Sequence, residues 1–264
     1  MMAKRLNGKA ALVTGGGSGI GRGAALAFAR HGASVCIVER DKARAEETRH
    51  AVEREGAACF VALADVADPT GVEAAFEQAN RQFGRLDIVF ANAGINGVLA
   101  PIEEMEPEEW SRTIDINLKG TFLTVKYAVP LLKQQGGSII VTSSVNGNRI
   151  FSNFGFSAYS TSKAGQVAFM KMAALELARY RIRVNAICPG AIRTHIDEST
   201  HPTPEVEEIR IPVQFPDGGD IPLTHKPGSP EQVAELALFL AGDESSHITG
   251  TEIYIDGAES LIRG

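Results

Sequence analysis

Cysteine, tryptophan, positive charge and long apolar runs are all scarce in this 264-residue chain. Its three cysteines, Cys36, Cys59 and Cys188, are odd in number and lack metal-ligand spacing. That argues against a disulfide framework or a metal site, and buried thiols in a reducing cytoplasm are expected. No apolar run reaches the ~18 residues of a membrane span. The opening stretch Met1–Gly8 has a basic touch but no apolar signal region. A net charge of −6 suggests no nucleic-acid groove. Repeats, linkers and composition breaks are missing too, which points to one unit over 1–264.

What the chain does hold is 44% hydrophobic residues, ample for a core. Ala10–Val13, Ser34–Val38, Cys59–Leu63, Leu86–Ala91, Ser138–Thr142, Arg183–Ile187 and Glu252–Ile255 read as strands. Helical patterns alternate with them at Lys42–Glu55, Thr70–Phe83, Glu108–Leu132, Ala158–Tyr180 and Pro230–Leu240. Such alternation predicts an α/β fold, a doubly wound parallel sheet covered on both faces. Its ligand should lie beyond the C-terminal strand ends, where the strand order reverses.

The first strand runs into Thr14-Gly15-Gly16-Gly17-Ser18-Gly19-Ile20-Gly21, and a helical stripe follows from Ile20 to His31. Strand, glycine turn and helix together are the context of dinucleotide binding. Gly15 can turn tightly, Gly19 admits the pyrophosphate to the backbone, and Gly21 lets the helix pack close. The helix N-terminus then offers free N–H groups and a positive dipole end to phosphates. Far downstream, Tyr159 and Lys163 stand four apart, one above the other on a helix face. A free phenol titrates near ~10. A neighbouring ammonium pulls that value down and makes an acid–base catalyst for neutral pH.

Between these motifs lie Asn92-Ala93-Gly94, Asp115-Ile116-Asn117 and Ile139–Ser144. Pro189-Gly190-Ala191-Ile192-Arg193-Thr194 and Asp256-Gly257 come later. In this order they resemble the short-chain dehydrogenases/reductases in their compact, single-domain form. The resemblance implies a Rossmann fold and a catalytic set of Asn117, Ser144, Tyr159 and Lys163. Tyr159 would take the alcohol proton in oxidation or donate it in reduction, while a hydride passes between carbinol carbon and nicotinamide. Lys163 would lower the Tyr159 pKa and hold the nicotinamide ribose. Ser144 would stabilise charge on the substrate oxygen. Asn117 would position a water that relays protons through Lys163. Cofactor contacts are implied for Gly15, Ser18, Gly19, Ile20, Asn92, Ala93, Gly94, Tyr159, Lys163, Pro189, Gly190, Ile192 and Thr194, with Asp65 and Val66 flanking the adenine. Asn92 would hold the neighbouring strand and loop open. The helices bearing Asn117 and Tyr159 would pair across subunits, giving a homotetramer, and Trp110 is expected in the core or at such a contact.

The serine is spaced unusually. Ser144 precedes Tyr159 by 15 residues, where the family's gap is about a dozen or so, and thirteen back stands Asn146. Ser144 is preferred because Ile139–Thr142 and Gly147 frame it. The extra residues then fall in Asn148–Phe156, and Ser143 is left as a lesser candidate that caps or buttresses the turn. Phe151, Phe154 and Phe156 would wall the substrate, and Asn148 and Asn153 would meet its hydroxyls.

Cofactor choice sits at the second strand's end. Glu39, 18 residues past Gly21, can accept from ribose hydroxyls and would repel a 2′-phosphate, favouring NAD. Arg40 pulls toward NADP, whereas the turn position that would carry a second base holds Ser18. The segment Arg193–Pro230 carries seven of the twelve prolines, which bars a long helix, and the resemblance implies that it is the flap over the substrate. Its acids, Asp197, Glu198, Glu205, Glu207, Glu208, Asp217 and Asp220, outnumber Arg193, Arg210 and Lys226. Such a flap suits a neutral polyol, sugar or sterol-like alcohol better than an anionic thioester. His195, His201 and His225 lack metal spacing, and His195 reads as a substrate contact. The expected activity is NAD-linked interconversion of a secondary alcohol and a ketone. The alternatives are an NADPH-dependent 3-oxoacyl-thioester reductase and a non-catalytic dinucleotide-binding protein.

Overall fold

This computed structural model describes residues 4–209 and 220–263. Seven strands form one parallel sheet: β1 (Ala10–Thr14), β2 (Ser34–Glu39), β3 (Cys59–Leu63), β4 (Ile88–Ala91), β6 (Gly137–Thr142), β7 (Ile182–Pro189) and β9 (Glu252–Ile255). Their spatial order is β3-β2-β1-β4-β6-β7-β9. The order reverses between β1 and β4, so a crevice opens at their carboxyl ends. β1 and β4 are buried along their whole length, as the apolar runs predict for a sheet covered on both faces.

Helices α1 (Gly19–Arg30), α2 (Lys42–Arg54) and α7 (Pro230–Ala241) cover one face around Phe28, Phe90 and Leu238. α3 (Pro69–Phe83), α5 (Gly120–Leu132) and α6 (Ser157–Leu177) cover the other around Leu86, Leu132 and Met170. Local chemistry sets their starts. Asp68 caps α3 by accepting from the Thr70 and Gly71 amides, with Pro69 following, and Ser229 with Gln232 forms a capping box before α7. α3 ends in an αL cap at Gly84, φ 67°, whose amide donates to Asn80 O.

The helix expected over Glu108–Leu132 is not uniform. It consists of α4 (Pro107–Ile114), a π-helical stretch over Asp115–Lys119, and α5. There the Thr121 hydroxyl and the Gln166 amide donate to the Asn117 carbonyl at 2.8 and 2.9 Å. Side-chain donors thus occupy a carbonyl of the helical ladder, and periodicity carries no sign of it. Two short strands also escaped pattern reading: β5 (Gly97–Leu99) pairs in parallel with β8 (Thr200–Pro202). Trp110 lies on α4 at the surface, 36% exposed, and not in the core. Of the cysteines, Cys36 and Cys188 are buried, whereas Cys59 is only half-buried. Among the described residues no helix is long and apolar enough to cross a membrane. A last short helix, α8, spans Ser260–Arg263.

Candidate active site

A cavity of about 670 Å³ opens at the crevice between β1 and β4. All the cofactor candidates named from the sequence line it, from Gly15 in the glycine turn to Thr194 beyond β7. A second recess of about 490 Å³ borders it and shares Arg40, Asp65 and Ile116.

The glycine turn is shaped by close approach. A Cβ on Gly21 would fall on the Gly15 carbonyl and lie 2.7 Å from Asn92 Nδ2. One on Gly15, at φ 63°, would sit 2.9 Å from Ala93 Cα. Asn92 fastens this corner: its Nδ2 donates to Thr14 O at 3.2 Å, and its Oδ1 accepts from Thr142 Oγ1 at 3.0 Å. It thereby ties β1, β4 and β6 together at the cavity floor. Ser18, at the N-cap of α1, makes no side-chain capping bond, and no acid sits in the first turn. Ser18, Gly19 and Ile20, at the start of that helix, line the cavity. Such a cradle of glycine backbone and positive helix end fits a dinucleotide pyrophosphate.

Glu39 closes the far end. Its Oε2 accepts from the Gly17 amide at 3.2 Å, and its Oε1 accepts from the Arg40 and Asp41 amides at 2.9 and 3.2 Å. Those bonds fix the carboxylate against the cavity beside Arg40, Asp41 and Arg44.

At the other end, Ser144, Tyr159 and Lys163 meet on the wall. Tyr159 is buried, and its ring packs edge-on against Phe156 with centroids 5.6 Å apart. Burial pushes its phenol up to about 12, while a hydrogen bond with Ser144 pulls the other way. The expectation that Lys163 lowers the phenol is therefore not met in the protein alone. Lys163 Nζ is 5.5 Å from the Tyr159 ring centroid and donates to Thr142 O at 2.9 Å. Burial brings the lysine itself down to about 8.

Two neighbouring serines do different things. Ser143 Oγ donates to Lys163 O at 2.8 Å and accepts from Asn148 Nδ2 at 3.0 Å, so it buttresses the turn. Ser144 Oγ accepts from the Asn146 amide at 3.1 Å and reaches Tyr159. Asn117 does not line the cavity. Its Oδ1 accepts from Ile95 N at 2.9 Å, and its Nδ2 donates to Ile95 O and Ser162 Oγ at 2.9 and 3.0 Å. It is a fully buried strut between the Gly94 loop and α6.

The expected aromatic wall is mostly elsewhere. Phe151 is 74% exposed, and of the three phenylalanines only Phe156 lines the cavity. Asn148 is engaged by the serine turn, whereas Asn146 and Asn153 face the cavity, bonded to each other at 2.6 Å. His195 lines the cavity; His201 and His225 do not. On the flap, Asp217 and Arg210 lie outside the described residues. Sequence reasoning missed Glu259. This buried carboxylate lines the cavity and accepts from Ala191 N at 3.0 Å. Nothing but its proximity to Asp256-Gly257 could have flagged it. Asn96, in the Ile95–Val98 segment expected to border the substrate, lines the cavity: its Nδ2 donates to Thr200 Oγ1 at 2.8 Å and its amide to Ser199 Oγ at 3.2 Å, tying the flap to the β4 side.

The sequence matches the family model described as Enoyl-(Acyl carrier protein) reductase over residues 15–258. It is 36% identical over 259 residues to a cyclohexanol dehydrogenase of Acinetobacter sp., covering 98% of this chain and 97% of the relative. A crystal structure of a 3-ketoacyl-ACP reductase from Sinorhizobium meliloti superposes with a TM-score of 0.92 at 46% identity, over 96% of this chain and 100% of that one. A 3-ketoacyl-(acyl-carrier-protein) reductase from Brucella melitensis, complexed with NADH, gives 0.83 at 34% identity, over 97% and 99%. With the glycine cradle and the Ser144–Tyr159–Lys163 wall in one crevice, the chain belongs to the short-chain dehydrogenases/reductases and is an oxidoreductase acting on CH–OH groups.

Proposed function

We propose that the protein is an NAD(H)-dependent oxidoreductase that interconverts a neutral secondary alcohol and its ketone. The observation that carries this reading is the meeting of Ser144, Tyr159 and Lys163 on the wall of the cavity whose other end holds Glu39. Bound there, NAD supplies the hydride acceptor, and its reduced form the donor. Gly15, Ser18, Gly19 and Ile20 would hold the pyrophosphate, Glu39 the adenosine ribose, and Asp65 and Val66 the adenine. Asn92, Ala93, Gly94, Pro189, Gly190, Ile192 and Thr194 would close round the rest.

Tyr159 moves the proton at the substrate oxygen, and Ser144 donates to that oxygen as its charge grows. Lys163, near its titration point, passes protons toward solvent. Asn117 acts by holding Ile95 and Ser162, which keeps Lys163 and Tyr159 aimed. Six carboxylates against four lysines and arginines line the cavity, which favours an uncharged substrate. Asn146, Asn153 and His195 offer it hydroxyl partners. The protein is further proposed to be cytoplasmic; a homotetramer is proposed because α5 exposes Phe122 and α6 exposes Met172 and Leu175.

A second reading has an observation of its own. The 46% identity to a protein named as a 3-ketoacyl-ACP reductase favours thioester reduction. One assay separates the two. Cyclic alcohols, polyols and sugars with NAD, and a 3-oxoacyl thioester with NADH and NADPH, are followed at the absorbance of the reduced cofactor. Faster turnover of an uncharged alcohol supports the first reading; faster turnover of the thioester replaces it.

A further inference from the structure

Arg44, in the first turn of α2, reaches across to the flap: its Nη2 donates to Glu198 Oε2 at 2.6 Å. The two residues are 154 apart in sequence. Arg44 Nε lies 3.5 Å from Asp41 Oδ2. A Cβ on Gly17 would stand 3.0 Å from both Arg44 Cβ and Glu39 Oε2, so the arginine stem and the ribose-end carboxylate flank one glycine. Arg40, Asp41, Arg44 and Glu198 all line the cavity there. A 2′-phosphate entering beside Glu39 would therefore meet two guanidinium groups, one of them already engaged.

We propose that Glu198 is a cofactor-specificity residue, which withholds Arg44 from a 2′-phosphate by occupying it. Discrimination against NADP then rests on two carboxylates from opposite sides of the cavity: Glu39 repels the phosphate, and Glu198 disarms a cation that would attract it. Each partner favours the charged form of the other: Glu198 raises the Arg44 pKa and Arg44 lowers that of Glu198. Both side chains are part-exposed, so the pair's own stability is small. Its consequence is the direction of the guanidinium, since an arginine with Nη2 bound to one carboxylate and Nε turned to another has fewer donors left for a phosphate. Arg40 makes no such side-chain bond among those described, and its pull toward NADP is opposed by Glu39 directly beside it.

This inference rests on the NAD reading above, and one set of titrations separates the two. NADH and NADPH are titrated by fluorescence into wild type, Glu198→Ala, Arg44→Ala and the double variant. Melting shifts with adenosine 2′,5′-bisphosphate give a readout independent of turnover. Wild type should bind NADH more tightly. Glu198→Ala should lower the NADPH-to-NADH ratio of Kd about tenfold, the worth of one charge-assisted hydrogen bond regained. The gain should vanish in the double variant, and adenosine 2′,5′-bisphosphate should raise the melting temperature most in Glu198→Ala. An unchanged ratio with NADH binding retained overturns the role of Glu198 and leaves the NAD reading standing. Equal weakening of both cofactors also overturns it, because the ion pair would then only fasten the flap. Tighter NADPH binding by wild type overturns the NAD reading itself.

Discussion

Tyr159 and Lys163 are ordinary helix neighbours made unusual by burial. The sequence places them on one face, but it cannot say which way the amine turns, and here it bonds the Thr142 carbonyl. Two consequences can be measured. Lys163 titrates near 8 in the folded protein, against 10.5 for the free side chain. Between those values the unfolded chain keeps a proton the folded one has lost, so stability rises with pH there. Below that window the cost of burying the ammonium is present in full. Urea midpoints of wild type relative to Lys163→Met should therefore rise from pH 8 to 10, and a flat difference would show that the lysine is not desolvated. Glu39→Ala removes the carboxylate that flanks the ribose end. It should erase most of the preference for NADH over NADPH in fluorescence titrations, a change of about tenfold or more, with turnover at saturating NADH little altered.

At the scale of elements, the glycine turn is where sequence and structure agree most closely. Gly15 and Gly21 are required by close approach to Ala93 and Asn92, and the motif spacing announces both positions. Gly21→Ala would drive a methyl into the Gly15 carbonyl. We expect a loss of more than ~2 kcal/mol from overpacking and no measurable NADH binding, checked by melting and titration. The flap is the opposite case. Its prolines announce irregularity, yet the β5–β8 pairing is three residues long and is formed by segments about a hundred apart, which no local pattern encodes. The π-helical stretch beside Asn117 escaped notice for a similar reason, since it is marked by Thr121 and Gln166 bonds from two helices. Asn96→Ala should loosen the flap on its β4 side. KM for the alcohol should rise several-fold while the Kd for NADH stays put, and a change confined to kcat would contradict this placement.

Across the whole molecule, strand alternation was legible because a parallel sheet buried on both faces needs near-continuous apolar strands. What the pattern could not reveal is which faces meet a partner. Phe122, Met172 and Leu175 lie exposed on α5 and α6, and Phe122 packs edge-on to Phe169 with centroids 6.1 Å apart. Replacing Met172 and Leu175 together by Glu should convert the assembly to a smaller species in sedimentation velocity; an unchanged coefficient would place the subunit contact elsewhere.

The claim that binds these scales together is that one cavity holds the dinucleotide while Tyr159 moves the proton. Tyr159→Phe keeps the ring and its Phe156 contact but removes the hydroxyl. NADH affinity and cofactor-linked alcohol turnover should be measured side by side in this variant and wild type. The account predicts affinity within about twofold and turnover lower by ~10² or more, the usual worth of a positioned acid–base group. Turnover that survives in Tyr159→Phe would contradict it.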